Sequence, residues 1–255
     1  MYSRLRAVGV GVGIGVTGLV GGSVLALLVA LLLTVGGVEI TPVLNIVLSL
    51  LLLTGVGFMG TALLYLRYRG IPLRSLGLEI PSVKELGLVI AALVASMAYL
   101  LVLGTILQST GTESAENQVA SMAMENPEIV LYLLPGAYLL IGPGEELLFR
   151  GVVQNRIRES FGPKSGVFLA SVIFAVIHVT SLVGSDASAV AVTLLGLMGP
   201  SLLLGALYEY TRNLVVPILV HGTYDAIIFL ALYAMATGSV EASGNAAATV
   251  VAVLP

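Results

Sequence analysis

The sequence predicts an all-α fold, a polytopic bundle of transmembrane helices, and three observations carry that prediction. Of its 255 residues, 58% are hydrophobic and only 10% are charged, and the mean hydropathy of +1.06 lies far above that of a soluble domain. The apolar residues come in long unbroken runs rather than in the alternation of a barrel strand, which favours helices, whose backbone groups bond within their own segment. Lys and Arg fall on alternate connections between those runs. The chain has no Cys, which excludes disulfides, Cys-ligated zinc and thiol catalysis. A net charge of −3 is too small to argue about partners.

After Arg4 and Arg6, Ala7 to Val35 forms a Gly-rich apolar run. It is too long for the core of a signal peptide and has no convincing cleavage site, so it reads as a retained first span. Its segment Gly13 to Gly18 fits G-x-G-x-x-G, but no strand precedes it, and close helix packing through Gly11, Gly15, Gly18 and Gly22 is the better reading than dinucleotide binding. Val43 to Leu66 is the second span, followed by a basic connection with Pro72 and Pro81 as breakers. Leu86 to Gln108 is the third. The polar segment Ser109 to Glu128 carries four Glu and no Lys or Arg, and Met122 and Met124 hint at a short surface helix within it.

The fourth span begins at Ile129 and has no breaker before Gly162-Pro163, so its last turns extend into the interface. Gly166 to Val183 is the fifth, Ala187 to Leu207 the sixth and Leu214 to Met235 the seventh; Ala246 to Leu254 is short enough to be only a partial eighth. The chain then divides into N-terminal helices at 1–128, a core at 129–235 and a tail at 236–255, with no internal repeat. Basic residues accumulate on cytoplasmic connections. Arg4 and Arg6, Arg67 to Lys84, Arg156 to Lys164, and Arg212 all fall on one set, which predicts seven spans with a cytoplasmic N-terminus in the cell membrane.

Charged residues inside such spans cost roughly 2.5 to 3.5 kcal/mol each on insertion scales, so each asks for a partner or a task. The fourth span holds Glu145, Glu146 and Arg150. Adjacent helical residues point about 100° apart, while Glu146 and Arg150 stand at i, i+4 in the favourable ion-pair order. Glu145 is left without a local partner. Counting back from Gly162-Pro163 along the two antiparallel helices puts Glu145 and His178 at about the same depth, able to face one another. The chain has only two His, and the second, His221, lies at i, i+4 from Asp225, whose carboxyl is expected to hold the imidazole. A carboxylate and an imidazole converging on one water form a general-base pair, and a second imidazole can donate to a developing oxyanion, which is the equipment of a hydrolase.

The runs Glu145-Glu146-Leu147-Leu148-Phe149-Arg150, Phe174-Ala175-Val176-Ile177-His178 and His221-Gly222-Thr223-Tyr224-Asp225 resemble the three motifs of the CPBP family of intramembrane endopeptidases. That family contains the type II CAAX prenyl endopeptidases and the Abi-like relatives linked to bacteriocin processing and immunity. The resemblance covers about Ile129 to Phe229. It implies a membrane-embedded protease in which Glu145 acts with His178 to activate water, His221 and Asp225 stabilise the oxyanion, and Glu146 with Arg150 orients the site. It also implies an apolar cavity opening near the cytoplasmic side and a membrane-anchored peptide or protein, prenylated or not, as substrate. Asp225 stands where the prenyl endopeptidases carry Asn; an ionised Asp cannot donate a hydrogen bond, so it is either protonated or orients His221.

Two rival readings use the same residues. One carboxylate and two imidazoles make a catalytic zinc ligand set, but the chain has no H-E-x-x-H pair, and the metal-free reading with no cofactor is the preferred expectation. Buried Glu and His also make proton relays in a transporter, or pack in a non-catalytic scaffold; against transport, no matched pair of interrupted helices occurs in two inverted halves. Phe174 is expected to pack in the core, and Arg156, Arg158 and Lys164 to fix topology. Membrane lipids and the tethered substrate are the expected partners, and nucleic acid is not.

Overall fold

The computed structural model describes residues 2–182 and 185–239, and the expected partial eighth helix lies outside them. Seven of its helices are long and apolar enough to cross a membrane, and among the described residues there is no strand, only an isolated antiparallel bridge between Asn117 and Leu182. The chain is an all-α, multi-pass membrane protein. We label the helices α1 (Tyr2–Val35), α2 (Pro42–Arg69), α3 (Val83–Thr110), the short α4 (Gln118–Glu125), α5 (Pro127–Phe161), α6 (Pro163–Ser181), α7 (Ala187–Thr211) and α8 (Val215–Ala236).

Local chemistry sets the boundaries. Thr41 caps α2 ahead of Pro42, and Ser82 with Glu85 closes a capping box on α3, in each case satisfying backbone N–H groups that a helix start leaves free. Asp186 caps α7 by accepting from Ala189 N–H, and the bond from the Ser188 hydroxyl, together with this one, holds its carboxyl below the usual range. Gly70 and Gly111 end α2 and α3 in the left-handed conformation that glycine adopts without strain. α5 has widened π-type turns at Ala137–Ile141 and Leu147–Gln154, which flank Gly142-Pro143-Gly144; such turns recur at functional sites, and an internal proline cannot sustain the regular ladder.

The connections sort by charge to opposite ends of the bundle. At one end Arg4 reaches Ser160 O, Arg69 meets Glu159, Lys84 bonds Tyr210, and Arg158 pairs with Glu209. This basic end gathers all four basic connections. At the other, Glu116 N–H bonds Ser185 Oγ and Ala115 N–H bonds Thr193 Oγ1. The 111–128 segment carries Glu113, Glu116, Glu125 and Glu128 and no Lys or Arg.

Glycines set how closely the helices meet. A Cβ on Gly22 would lie 2.7 Å from Leu53 Cα, and one on Gly57 would lie 2.5 Å from Gly18 O, so α1 and α2 touch backbone to backbone. Of the glycines read from the sequence as packing, Gly18 and Gly22 meet α2, whereas Gly11 faces Val153 and Ile157 of α5 and Gly15 faces Ile177 of α6; no βαβ unit occurs among the described residues. The main core joins Ile14 and Phe58 from these first helices with Leu148, Phe149 and Phe174 from α5 and α6, so α1 and α2 directly support the helices that carry the ionisable residues.

Candidate active site

The fourth long helix delivers its charges where the glycines around them let neighbours approach. A Cβ on Gly142 would lie 3.1 Å from Ile218 O and one on Gly222 would lie 3.0 Å from Ala137 O, so α5 and α8 pack closely at the level of the charged residues. That contact brings Glu146 to His221. Glu146 Oε2 accepts from Arg150 Nε at 3.1 Å within α5, as the i, i+4 spacing predicts, and Glu146 Oε1 accepts from His221 Nδ1 at 2.9 Å across the helices. Both Glu146 and Arg150 are fully buried. Paired in this way, neither charge stands alone in the apolar interior.

Asp225 differs from the sequence expectation. Its Oδ2 is 3.6 Å from His221 Nε2, beyond hydrogen-bond range, so the residue that holds the ring of His221 is Glu146. The i, i+4 spacing put Asp225 on the correct face, but Glu146 approaches the opposite ring nitrogen from another helix. With a carboxylate at Nδ1, that nitrogen is the donor, and Nε2 is turned toward Glu145 and Asp225.

His178 is fixed by its own helix. Its Nδ1 lies 2.8 Å from the Phe174 carbonyl, which can only accept, so Nδ1 carries the proton and Nε2 of the neutral ring offers a lone pair. Glu145 Oε2 stands 3.9 Å from that atom and 3.9 Å from His221 Nε2, and it is buried without a hydrogen-bond partner. At 3.9 Å the groups are too far apart to bond directly, while one water at about 2.8 Å from each can bridge them. Glu145 and His178 therefore face each other as the depth count expects, and both imidazoles present Nε2 to the same carboxylate oxygen.

Two neighbours complete the cluster. Phe174 packs edge-on against Phe149, lies 4.5 Å between ring centroids from His178, and receives the Arg150 guanidinium over its face at 5.2 Å. It packs as expected, and what it packs against is the site. Ser201 of α7 accepts from Arg150 Nη2 at 3.1 Å; the sequence reading placed nothing from this span at the site, and a lone hydroxyl beside Pro200 in an apolar run was its only signal. Among the described residues, no group of three or more His, Asp and Glu is arranged to hold a metal ion.

Glu145, Phe174, His178, Ser201, His221 and Asp225 line a cavity of about 280 Å³ whose walls are otherwise largely apolar. α1, α2 and α3 supply part of the wall through Leu19, Leu50 and Ser96, so spans that looked generic in sequence shape the site. The lining also includes Asn117, Ala120, Thr180 and Ser181, which belong to the acidic end. The cavity thus extends away from the basic end, opposite to the opening implied by the family resemblance.

Residues 127–227 match the type II CAAX prenyl endopeptidase, Rce1-like family, and this segment contains every ionisable residue of the cluster. The uncharacterized protein YpbD of Bacillus subtilis (strain 168) is 40% identical over 89 residues, which are 35% of this chain and 40% of that protein. The match therefore spans less than half of the relative's length. No solved structure gives a significant match.

Proposed function

We propose that this protein is an intramembrane endopeptidase of the cell membrane, hydrolysing a peptide bond in a membrane-tethered peptide or protein. The observation that supports this best is Glu145 Oε2, buried, unpartnered and 3.9 Å from the Nε2 atoms of both histidines. Match to the Rce1-like family points to the same chemistry.

In this reading a water held between Glu145 and His178 attacks the scissile carbonyl carbon. Its proton passes to the carboxylate as the C–O bond forms, and the carbonyl oxygen takes up the negative charge. His221, held as the imidazolium by Glu146 at Nδ1 and by the carboxyls of Glu145 and Asp225 facing Nε2, donates Nε2–H to that oxyanion. Collapse of the tetrahedral intermediate breaks the C–N bond, and the proton returns to the departing amine. Glu146 and Arg150 act through His221 by fixing its ring. Asp225, 3.6 Å from Nε2, places a carboxyl beside the nitrogen that faces the oxyanion.

The test is cleavage of a membrane-tethered peptide by the purified protein in proteoliposomes. Glu145→Gln and His178→Ala should each lower the rate by at least about 10²-fold, the usual range for a lost general base, while elution and thermal unfolding stay those of the parent. Cleavage at the parental rate by either variant would sink the proposal.

A further inference from the structure

The helices that carry the site do not reach equally far toward the acidic end. α5 continues from Glu145 back to Pro127 and α8 from His221 on to Ala236, but α6 stops one turn past His178, at Ser181. The space this leaves is only partly covered by the connection between α3 and α5, because Thr180 in the cavity wall stays exposed. Ala115 N–H bonds Thr193 Oγ1 at 2.8 Å, Glu116 N–H bonds Ser185 Oγ at 3.0 Å, and Asn117 pairs with Leu182. Ala120 of α4 then faces the cavity from above.

Toward the basic end the cavity is closed. Val153, Gln154, Ile157, Tyr208 and Leu214 have no exposed surface there and form a packed layer between the cluster and the basic connections. None of the basic connections contributes a residue to the cavity wall. Around the other end Glu113, Glu116, Glu125, Glu128 and Asp186 are exposed, and residues 111–128, 182, 185 and 186 include no Lys or Arg. Basic connections mark the cytoplasmic side, so the acidic end faces away from it. An acidic rim draws a cationic chain toward the mouth it surrounds and raises its local concentration.

We infer that the site takes its substrate from the acidic, non-cytoplasmic face, and that the substrate is a membrane-tethered peptide with a cationic stretch beside the cleaved bond. The inference rests on the hydrolytic reading above for the word substrate, but the side of access follows from the cavity and the charges alone.

The natural absence of Cys makes the side directly measurable. Single-cysteine variants Ala120→Cys and Lys164→Cys are treated with a membrane-impermeant maleimide in right-side-out and inside-out vesicles. Ala120→Cys should react in right-side-out vesicles and Lys164→Cys only in inside-out ones; the reverse pattern overturns the assignment. In proteoliposomes of determined orientation, a Lys-rich tethered peptide offered at the acidic face should be cleaved, with a bulky maleimide on Ala120→Cys slowing it at least about tenfold relative to the unlabelled variant. The same peptide offered at the basic face should stay intact. Combined Glu113→Gln, Glu116→Gln, Glu125→Gln and Glu128→Gln should raise KM for the Lys-rich peptide severalfold, leave a neutral Ser-substituted peptide unaffected, and lose its effect near 1 M salt, where the screening length is about 3 Å. Equal KM for both peptides in parent and variant overturns the cationic preference. Cleavage from the basic face that the Ala120 label does not slow overturns the access route while leaving the endopeptidase reading intact. No cleavage from either face sinks that reading instead, and the labelling pattern still decides the side.

Discussion

His221 Nδ1 lies 2.9 Å from Glu146 Oε1, one helix away, whereas the carboxyl on its own helical face, Asp225, stays 3.6 Å from the other ring nitrogen. The second glutamate of the pair is therefore the orienting group. Glu146→Gln keeps the volume and an oxygen that can accept from Nδ1–H but removes the charge. It should lower kcat about 10- to 100-fold with KM little changed, the order found when the carboxylate partner of a metal-bound imidazole is lost. A purely structural ion pair would instead lower the unfolding temperature and leave kcat alone, so measuring both separates the two roles. Glu146→Ala also strands Arg150 as an unpaired buried cation, which costs about 3 to 5 kcal/mol and should appear as poor recovery of folded protein.

Asp225→Asn should be mild. Since Asp225 makes no hydrogen bond to His221, the amide, which can itself donate to an oxyanion, should leave kcat/KM within about tenfold of the parent. A loss comparable to that of Glu145→Gln, measured on the same tethered peptide, would show that the ionised carboxyl is needed.

How much of this was legible in the sequence depends on whether a partner lies on the same helix. The Glu146–Arg150 pair was readable because i, i+4 spacing fixes the geometry, and the facing of Glu145 and His178 was readable because Gly162-Pro163 sets a common origin for counting depth along two antiparallel helices. The bond from His221 to Glu146 was not, because it depends on how closely α5 and α8 approach, which Gly142 and Gly222 decide together. Ser201 was hidden for the same reason. The side on which the cavity extends depends on α6 ending at Ser181 and on the 111–118 segment folding over it, and neither follows from hydropathy.

The backbone contact between α1 and α2 gives a prediction about the fold rather than the chemistry. Gly57→Ala would place a Cβ 2.5 Å from Gly18 O and 2.8 Å from Gly22 Cα, where only backbone can yield. The helices should separate, loosening Phe58 from Phe149, whose rings pack at 6.0 Å. Overpacking of this kind costs about 1 to 3 kcal/mol, and we expect a clear fall in unfolding temperature in detergent. Gly13→Ala is the control, since nothing lies within 4 Å of its Cβ position and its unfolding should match the parent's.

Metal dependence gives the last prediction. Two donors on a tetrahedral zinc, each at about 2.0 to 2.1 Å, stand roughly 3.3 Å apart, whereas Glu145 Oε2 is 3.9 Å from each Nε2, a span that a hydrogen-bonded water fits. A zinc-bound water would have its acidity set by the metal, while in the proposed metal-free mechanism Glu145 takes the proton, so the two mechanisms differ in what a chelator does. Cleavage should persist after dialysis against a strong chelator, and elemental analysis of the active protein should find zinc well below one equivalent. Replacing Glu145 by Gln should then abolish turnover without changing metal content. Stoichiometric zinc that leaves with the chelator, together with activity that returns only on adding it back, would reverse this assignment and make Glu145, His178 and His221 ligands instead of a base with its partners.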